Sequence, residues 1–401
     1  MATEEMDVNE RFKYLRMMQE RYQQADRKTK GRLLDEMEAI TGLHRKYLSH
    51  RMQERQLYRQ PRTHPRSVIY GPDVQQIIAV VAETLDWICA ERLLPTLAET
   101  AQHLERFGEL SLSPKVLTQL QQISLSTLRR ILQPLQPPRL PQAHRGRCAE
   151  NSAQAQVPIR IIPWQEPEPG HFEVDLVHHQ RAGQDGEFVC TLQCIDVLTG
   201  WSERIALSGY SFEAMWKALH TFHQHCPIPV REIHSDNGSE FVNHTLIAYF
   251  GQELCHTLFS RGRPGYHNDN RFVEQKNSSL VRAYLGDLYL HTPQHRHLLN
   301  ELYEQMWLYY NCFQPVLRQL ARRVVVRADG ICRVIRQQDE AKTPLQRLLA
   351  AKPPVSSATA QRLQQLHDQT NPRQLRAQIR QQLDELSHLS LEDERRLASL
   401  Q

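Results

Sequence analysis

The sequence predicts a multidomain chain: N-terminal all-α helix-turn-helix modules, a central α/β domain whose mixed sheet is flanked by helices, and a small C-terminal β/α segment. Three observations predict it. Apolar residues recur at three-to-four spacing up to about residue 134, the signature of amphipathic helices. A proline-rich, basic, aperiodic stretch, QPLQPPRLPQAHRGRCAENSAQAQVP (133–158), then reads as a linker. From residue 170 short alternating apolar runs separated by turn signals give strand patterning.

Residues 1–66 open with RFKYLRMMQERYQQA and KTKGRLLDEMEAITG, both helical in period. Thr41-Gly42 then leads into LHRKYLSHRMQER, so that a helix, a Gly-containing turn and a short basic helix follow one another as in a helix-turn-helix. Arg45, Lys46, His50 and Arg51 are expected to be exposed on the second helix, and Arg45, Lys46 and Arg51 to meet DNA. Seven Arg/Lys against one Glu between residues 41 and 66 suit a phosphate backbone. Residues 67–134 form a second helical module. Its last helix, SLSTLRRILQPL, has Ser124 or Ser126 as N-cap and Arg129 and Arg130 facing outward, a second expected DNA-binding element. Residues 135–165 are the Pro-rich basic linker.

Residues 166–318 change period. GHFEVDLVHH is a strand with Phe172, Val174 and Leu176 on one side; EFVCTLQCIDVLTG and WSERIALSG follow across the turn signal Thr199-Gly200. A helix (SFEAMWKALHTFHQHC), a strand (PVREIHS), a helix (SEFVNHTLIAYFGQEL) and a strand (CHTLFS) come next. A polar loop, RGRPGYHNDN, leads into a long helix, RFVEQKNSSLVRAYLG. This mixed order closes into one layered domain. Residues 319–401 hold a hairpin around Asp329-Gly330 and terminal helices.

The bulk numbers exclude several classes. No segment of the 401 residues approaches eighteen uncharged apolar residues, so no membrane span is expected. The acidic start MATEEMDVNERFKY is not a signal peptide, and a cytoplasmic, nucleoid-associated location is expected. The eight cysteines contain no CxxC, which argues against a disulfide framework or a thiolate zinc site. HTFHQHC could suggest a metal site but fits an amphipathic helix with Trp216, Leu219 and Phe222 inward. Net charge is only +4, which conceals the basic blocks.

Three acids stand out by position. Asp175 lies inside the first strand of the sheet, Asp236 ends the fourth, and Glu274 lies near the start of the long helix. If strands one and four are neighbours, both aspartates face one point and the helix presents Glu274 from above. An acid inside an apolar strand is costly to bury unpaired. Three converging acids favour a divalent cation, and oxygen-only ligands favour Mg²⁺ or Mn²⁺ over zinc. Two such ions, roughly 3.5–4 Å apart, hold the attacking and leaving oxygens of an in-line phosphoryl displacement. Glu173 shares the strand face of Asp175 and reads as a spectator or rim contact. Asp196 reads as a turn former, His178 and His179 as surface residues at a strand end, and Trp201 and Trp216 as core.

EVDLV, SDNGSEF and NDNRFVEQKN resemble the DDE motif of the retroviral-integrase and bacterial insertion-sequence transposase superfamily. The resemblance extends to GLHRKYLSHRM, LVRAYLG, YYNCFQP and KTPLQRLL. It implies an RNase H-like core, with Asp175, Asp236 and Glu274 as the acids that bind two metal ions. It implies that Asn237, Gly238 and Glu240 form the turn after the second acid, and that Arg261 and Arg263 lie in a mobile loop near the DNA end. Lys276, Asn277 and Arg282 would meet phosphate. Tyr266 and His267 stand where lysines are expected in that loop. The activity implied is DNA transposition: binding of terminal repeats, phosphodiester cleavage and strand transfer into target DNA. The partners implied are element ends and target DNA, in a homodimer or larger synaptic assembly. The alternative is a non-catalytic DNA-binding regulator derived from a transposase.

Overall fold

The computed structural model describes residues 6–54, 57, 69–135, 157–160, 166–180, 188–236, 238, 241, 256–263, 267–326 and 332–398. The chain divides into two compact units, residues 1–69 and 70–401.

The first unit contains helices α1 (Val8–Gln24), α2 (Arg27–Thr41) and α3 (Arg45–Met52). Asp7 and Glu10 close a capping box on α1, and the Asp26 side chain caps α2 by accepting from the Thr29 amide. Gly42 ends α2 at φ +68°, a left-handed cap that a Cβ would strain. The apolar stripes meet in a core of their own, built from Leu15, Met18, Leu33, Leu34, Met37, Leu48, Met52 and Leu57.

The second unit begins with α4 (Pro72–Thr84), α5 (Ala90–Leu93), α6 (Leu97–Arg106), α7 (Pro114–Gln122) and α8 (Leu125–Leu132). Strands β1 (His171–His178), β2 (Val189–Asp196) and β3 (Ser202–Ser208) follow, then α9 (Phe212–His225), β4 (Glu232–Ser235) and β5 (Leu258–Arg261). The order in the sheet is β3-β2-β1-β4-β5. β1–β2 and β2–β3 are antiparallel; β1–β4 and β4–β5 are parallel. Strands one and four are therefore neighbours, the condition under which the two aspartates meet. The segment SEFVNHTLIAYFGQEL, expected to be a helix, lies almost wholly outside the described residues.

Alternation along β1 sets the two faces. Phe172, Val174 and Leu176 enter a core that also holds Phe222 of α9, and α4–α8 contribute Val81, Leu93 and Leu128 to the same cluster. The opposite face carries Glu173, Asp175 and Val177. Val177 packs in a second cluster with residues of helix α12 (Pro293–Phe313) and helix α15 (Pro372–Ala398). The long helix expected after the loop is present as α10 (Arg271–Lys276), a π-helical stretch Asn277–Arg282 and α11 (Ala283–Leu285). The tail holds an antiparallel pair, β6 (Gln319–Val326) and β7 (Cys332–Gln338), then α13 (Pro344–Leu349), α14 (Ser357–Gln369) and α15. The Asp329-Gly330 turn between the two strands lies outside the described residues.

Gly170 ties the sheet together ahead of β1. Its φ is +110°, and a Cβ there would stand 2.4 Å from the Pro229 carbonyl oxygen. Its carbonyl accepts from the amides of Arg231 and Glu232, and its own amide donates to Asp196 Oδ1 at 2.7 Å. Asp196 also accepts from the Thr199 amide and hydroxyl, so it is a buried turn former.

Candidate active site

The register between β1 and β4 decides the geometry. His171 pairs with Glu232, Phe172 with Ile233 and Glu173 with His234, a constant offset of 61 positions. Asp175 and Asp236 differ by the same 61; the pairing itself runs from His171–Glu232 to Glu173–His234, and Asp236 lies one residue past the end of β4. Parallel neighbours run about 4.8 Å apart, and residues in register share a face. Asp236 folds the chain out of the strand, its Oδ1 accepting the Gly238 amide at 2.9 Å. Asn237 and Glu240 lie outside the described residues.

The helix bearing Glu274 is fastened to β1 at two points. The buried Glu173 accepts with Oε2 the amides of Phe272 (2.7 Å) and Val273 (3.0 Å), two donors that the first turn of a helix leaves unpaired. One turn on, Asn277 Nδ2 donates to Asp175 Oδ2 at 2.6 Å, while Asp175 Oδ1 accepts the Leu176 amide. Glu274 stands three positions before Asn277 and shares its side of the helix. Burial pushes the Glu173 carboxyl up to about 8, against the pull of the Val273 and Phe272 amides and Arg271, and the charge of Glu274 adds to the rise. Glu173 is therefore no rim residue. The sequence placed it on the right face, but only the fold shows which amides it holds.

The row continues across the sheet. Asp175 is in register with Gln193 on β2, and Gln193 with Arg204 on β3. Gln193 donates to Ser202 Oγ at 2.8 Å. Arg204 is buried against the rings of Tyr303 and Tyr310, at 5.6 and 5.9 Å. Its guanidinium has no hydrogen-bond partner among the described residues, and burial lowers its pKa. On β4 the His234 imidazole meets Ser260 Oγ at 2.7 Å, and burial lowers it to about 4.

The acids offer oxygen only, the donor set of a hard divalent cation. Among the described residues, however, no three His, Cys, Asp or Glu side chains are gathered closely enough to hold a metal ion. Like charges without a cation between them repel. Two of the acids here hold amides instead: Asp175 that of Asn277 and its own strand's next residue, Asp236 that of Gly238.

The expected DNA-binding residues fall into three groups. Lys46 and Arg130 are exposed. Arg45 pairs with Asp35, Arg51 with Glu54 while lying over the Phe12 ring, and Arg129 with Glu91. The rest are drawn into the fold. Arg261 is not a loop residue: it ends β5, buried, with Nε donating to the Val157 carbonyl at 3.0 Å. Arg263 clasps Asp269 through Nε and Nη2, both at 3.0 Å, and so closes the base of the loop. Asn277 serves Asp175. Lys276 and Arg282 are half-buried on the helix. Tyr266 lies outside the described residues, as does the side chain of His267.

No family model matches the chain. Two solved structures share low similarity. The BIV integrase catalytic core domain aligns at 17% identity over 29% of this chain and 72% of its own, with a TM-score of 0.24. The HTLV-2 integrase catalytic core domain, in complex with magnesium, aligns at 17% identity over 37% and 91%, with a TM-score of 0.27. The uncharacterized protein y4rM of Sinorhizobium fredii is 31% identical over 314 residues, 77% of this chain and 89% of y4rM. On identity and length together, the chain belongs to the family of y4rM.

Proposed function

We propose that the chain is a DNA transposase, a polynucleotidyl transferase that binds element ends, cleaves a phosphodiester and transfers the resulting 3′-OH to target DNA. One observation supports the reading: β1 and β4 pair in parallel at an offset of 61, the offset that also separates Asp175 from Asp236, and the helix bearing Glu274 is fastened to β1 through Glu173 and Asn277. Asp175, Asp236 and Glu274 would hold Mg²⁺ or Mn²⁺, two ions in all. Bound there, such ions supply Lewis-acid charge at the attacking and leaving oxygens. Glu173 holds the helix and Asn277 orients the Asp175 carboxylate. The nucleophiles are water and then the DNA 3′-OH, so no side chain has to bond covalently to DNA. Lys46 of α3 and Arg130 of α8 would meet backbone phosphates, in a helix-turn-helix and a second helical reader. Joining two ends requires a dimer or a larger assembly.

The test incubates the purified chain with terminal-repeat duplexes and Mg²⁺ and resolves the products on a denaturing gel. Wild type yields strand-transfer products, and Asp236→Asn lowers their rate by about a thousandfold or more, the scale of losing an electrostatic catalytic group. Transfer by Asp236→Asn at the wild-type rate overturns the reading. Sequence-specific binding without cleavage in wild type selects the non-catalytic regulator instead.

A further inference from the structure

A cavity of about 320 Å³ opens among the turn between α4 and α5, α5 itself, the helical run 271–285, α12 and α15. Its charges do not balance. Asp86 is the one acid among the lining residues, and both its oxygens are taken. Oδ1 accepts from Arg376 (2.7 Å) and Arg380 (2.9 Å), and Oδ2 from the Tyr284 hydroxyl (2.8 Å).

The cations on the other side of the cavity have no such answer. Lys276 Nζ lies 5.2 Å from the centroid of the Tyr310 ring and meets no acid among the described residues. Among the described residues Arg92 donates to uncharged oxygens, Nε to the Pro315 carbonyl at 2.6 Å and Nη2 to Gln314 Oε1 at 3.2 Å. The Tyr310 hydroxyl, on a side chain 3% exposed, meets no hydrogen-bond partner among the described residues. A buried hydroxyl left unpaired costs about 1–3 kcal/mol, and burial with the neighbouring Arg92 and Arg347 lowers the Lys276 pKa to about 7, a shift that a bound anion would oppose. The acid nearest in sequence to Lys276 is Glu274, which stands two positions away and so on a different side of the helix.

We propose that this cavity binds a phosphate-class oxyanion, held by the Lys276 ammonium, the Arg92 guanidinium and the Tyr310 hydroxyl. Ammonium, guanidinium and phenol donors carried on three different elements suit several oxygens about one centre. The volume lies at the small end of ligand pockets. The phosphate comes either from a free phosphate compound or from a nucleic-acid phosphodiester. Lys276 is shared with the phosphate contacts that the resemblance implies, whereas Arg92 and Tyr310 are not, and none of the three donors is a carboxylate of the triad.

The test titrates the full-length chain with inorganic phosphate at constant ionic strength, set by chloride, and reads binding by calorimetry. Saturable binding is expected in wild type. Lys276→Met weakens it about tenfold or more, the loss of a charge-assisted contact. Tyr310→Phe, which keeps the ring and the fold, weakens it several-fold. Phosphate displaced by a short duplex assigns the site to a phosphodiester; phosphate retained under saturating duplex assigns it to a free phosphate compound. Heats equal to those of a chloride blank, or equal affinity in wild type and Tyr310→Phe, overturn the proposal.

Discussion

Burial holds the His179 imidazole neutral. One ring nitrogen, Nε2, lies 2.7 Å from Thr191 Oγ1, which in turn meets the Tyr303 hydroxyl at 2.6 Å. Burial, helped by the neighbouring His178 and Arg282, lowers its pKa from 6.5 to about 3. The sign follows from linkage. The unfolded chain binds a proton at this residue below pH 6.5 and the folded chain refuses it until about pH 3. The contribution to stability is thus complete above pH 6.5 and is lost as pH falls toward 3, by up to about 1.4 kcal/mol per pH unit. Thermal unfolding from pH 7 to pH 4 measures it. His179→Gln should flatten the acid side of the Tm profile; an unchanged slope would place the acid sensitivity elsewhere. The sequence suggested a surface histidine at a strand end, and for exposed His178 that holds. His179 stands two positions past Val177, on the face that Tyr303 and its helix cover, and that packing is what buries it.

Two elements, β1 and the helix from Arg271 onward, would make the proposed site only if they dock in one way. Glu173 and Asn277 are the pins, one at the first turn and one at the start of the π-helical stretch. The alternation of β1 and the positions of the three acids were readable in the sequence because strand period and turn residues are local properties. The offset of 61 was readable as a number, yet only the hydrogen-bonded register gives it meaning, since a slip of one residue would turn Asp236 to the other face. The docking pins were not readable, because backbone amides leave no trace in a sequence. Removing the first pin tests the argument. Glu173→Ala orphans two buried amides and should cost about 2–4 kcal/mol in a denaturant midpoint. Glu173→Gln keeps a carbonyl acceptor and should recover most of that stability. Equal stability of the two variants would show that the helix is held without Glu173.

At the scale of the molecule, the Pro-rich stretch 133–158 breaks the helical period, but the hydrophobic core continues on either side of it. Leu93, Leu97, Leu128 and Leu132 belong to the same buried cluster as Phe172, Leu192 and Phe222. Polar ties cross the same gap: the Tyr309 hydroxyl donates to the Thr84 carbonyl at 2.6 Å, and His103 Nε2 meets the Thr370 carbonyl at 2.9 Å. Composition reveals where a chain loosens; it does not reveal which apolar faces meet afterwards. Residues 1–69 differ in this respect, since their buried leucines and methionines pack among themselves. The contrast predicts how fragments behave. A fragment of residues 1–69 should melt cooperatively by circular dichroism, although modestly, as domains of about 60 residues do. A fragment of residues 70–135 should show helical signal without a cooperative transition, because α4–α8 would lose the sheet and α9 residues of the cluster they share. Residues 70–401 should restore one transition. Cooperative melting of 70–135 alone would mean that these helices form a module of their own, and that the cluster joining them to the sheet adds little to their fold.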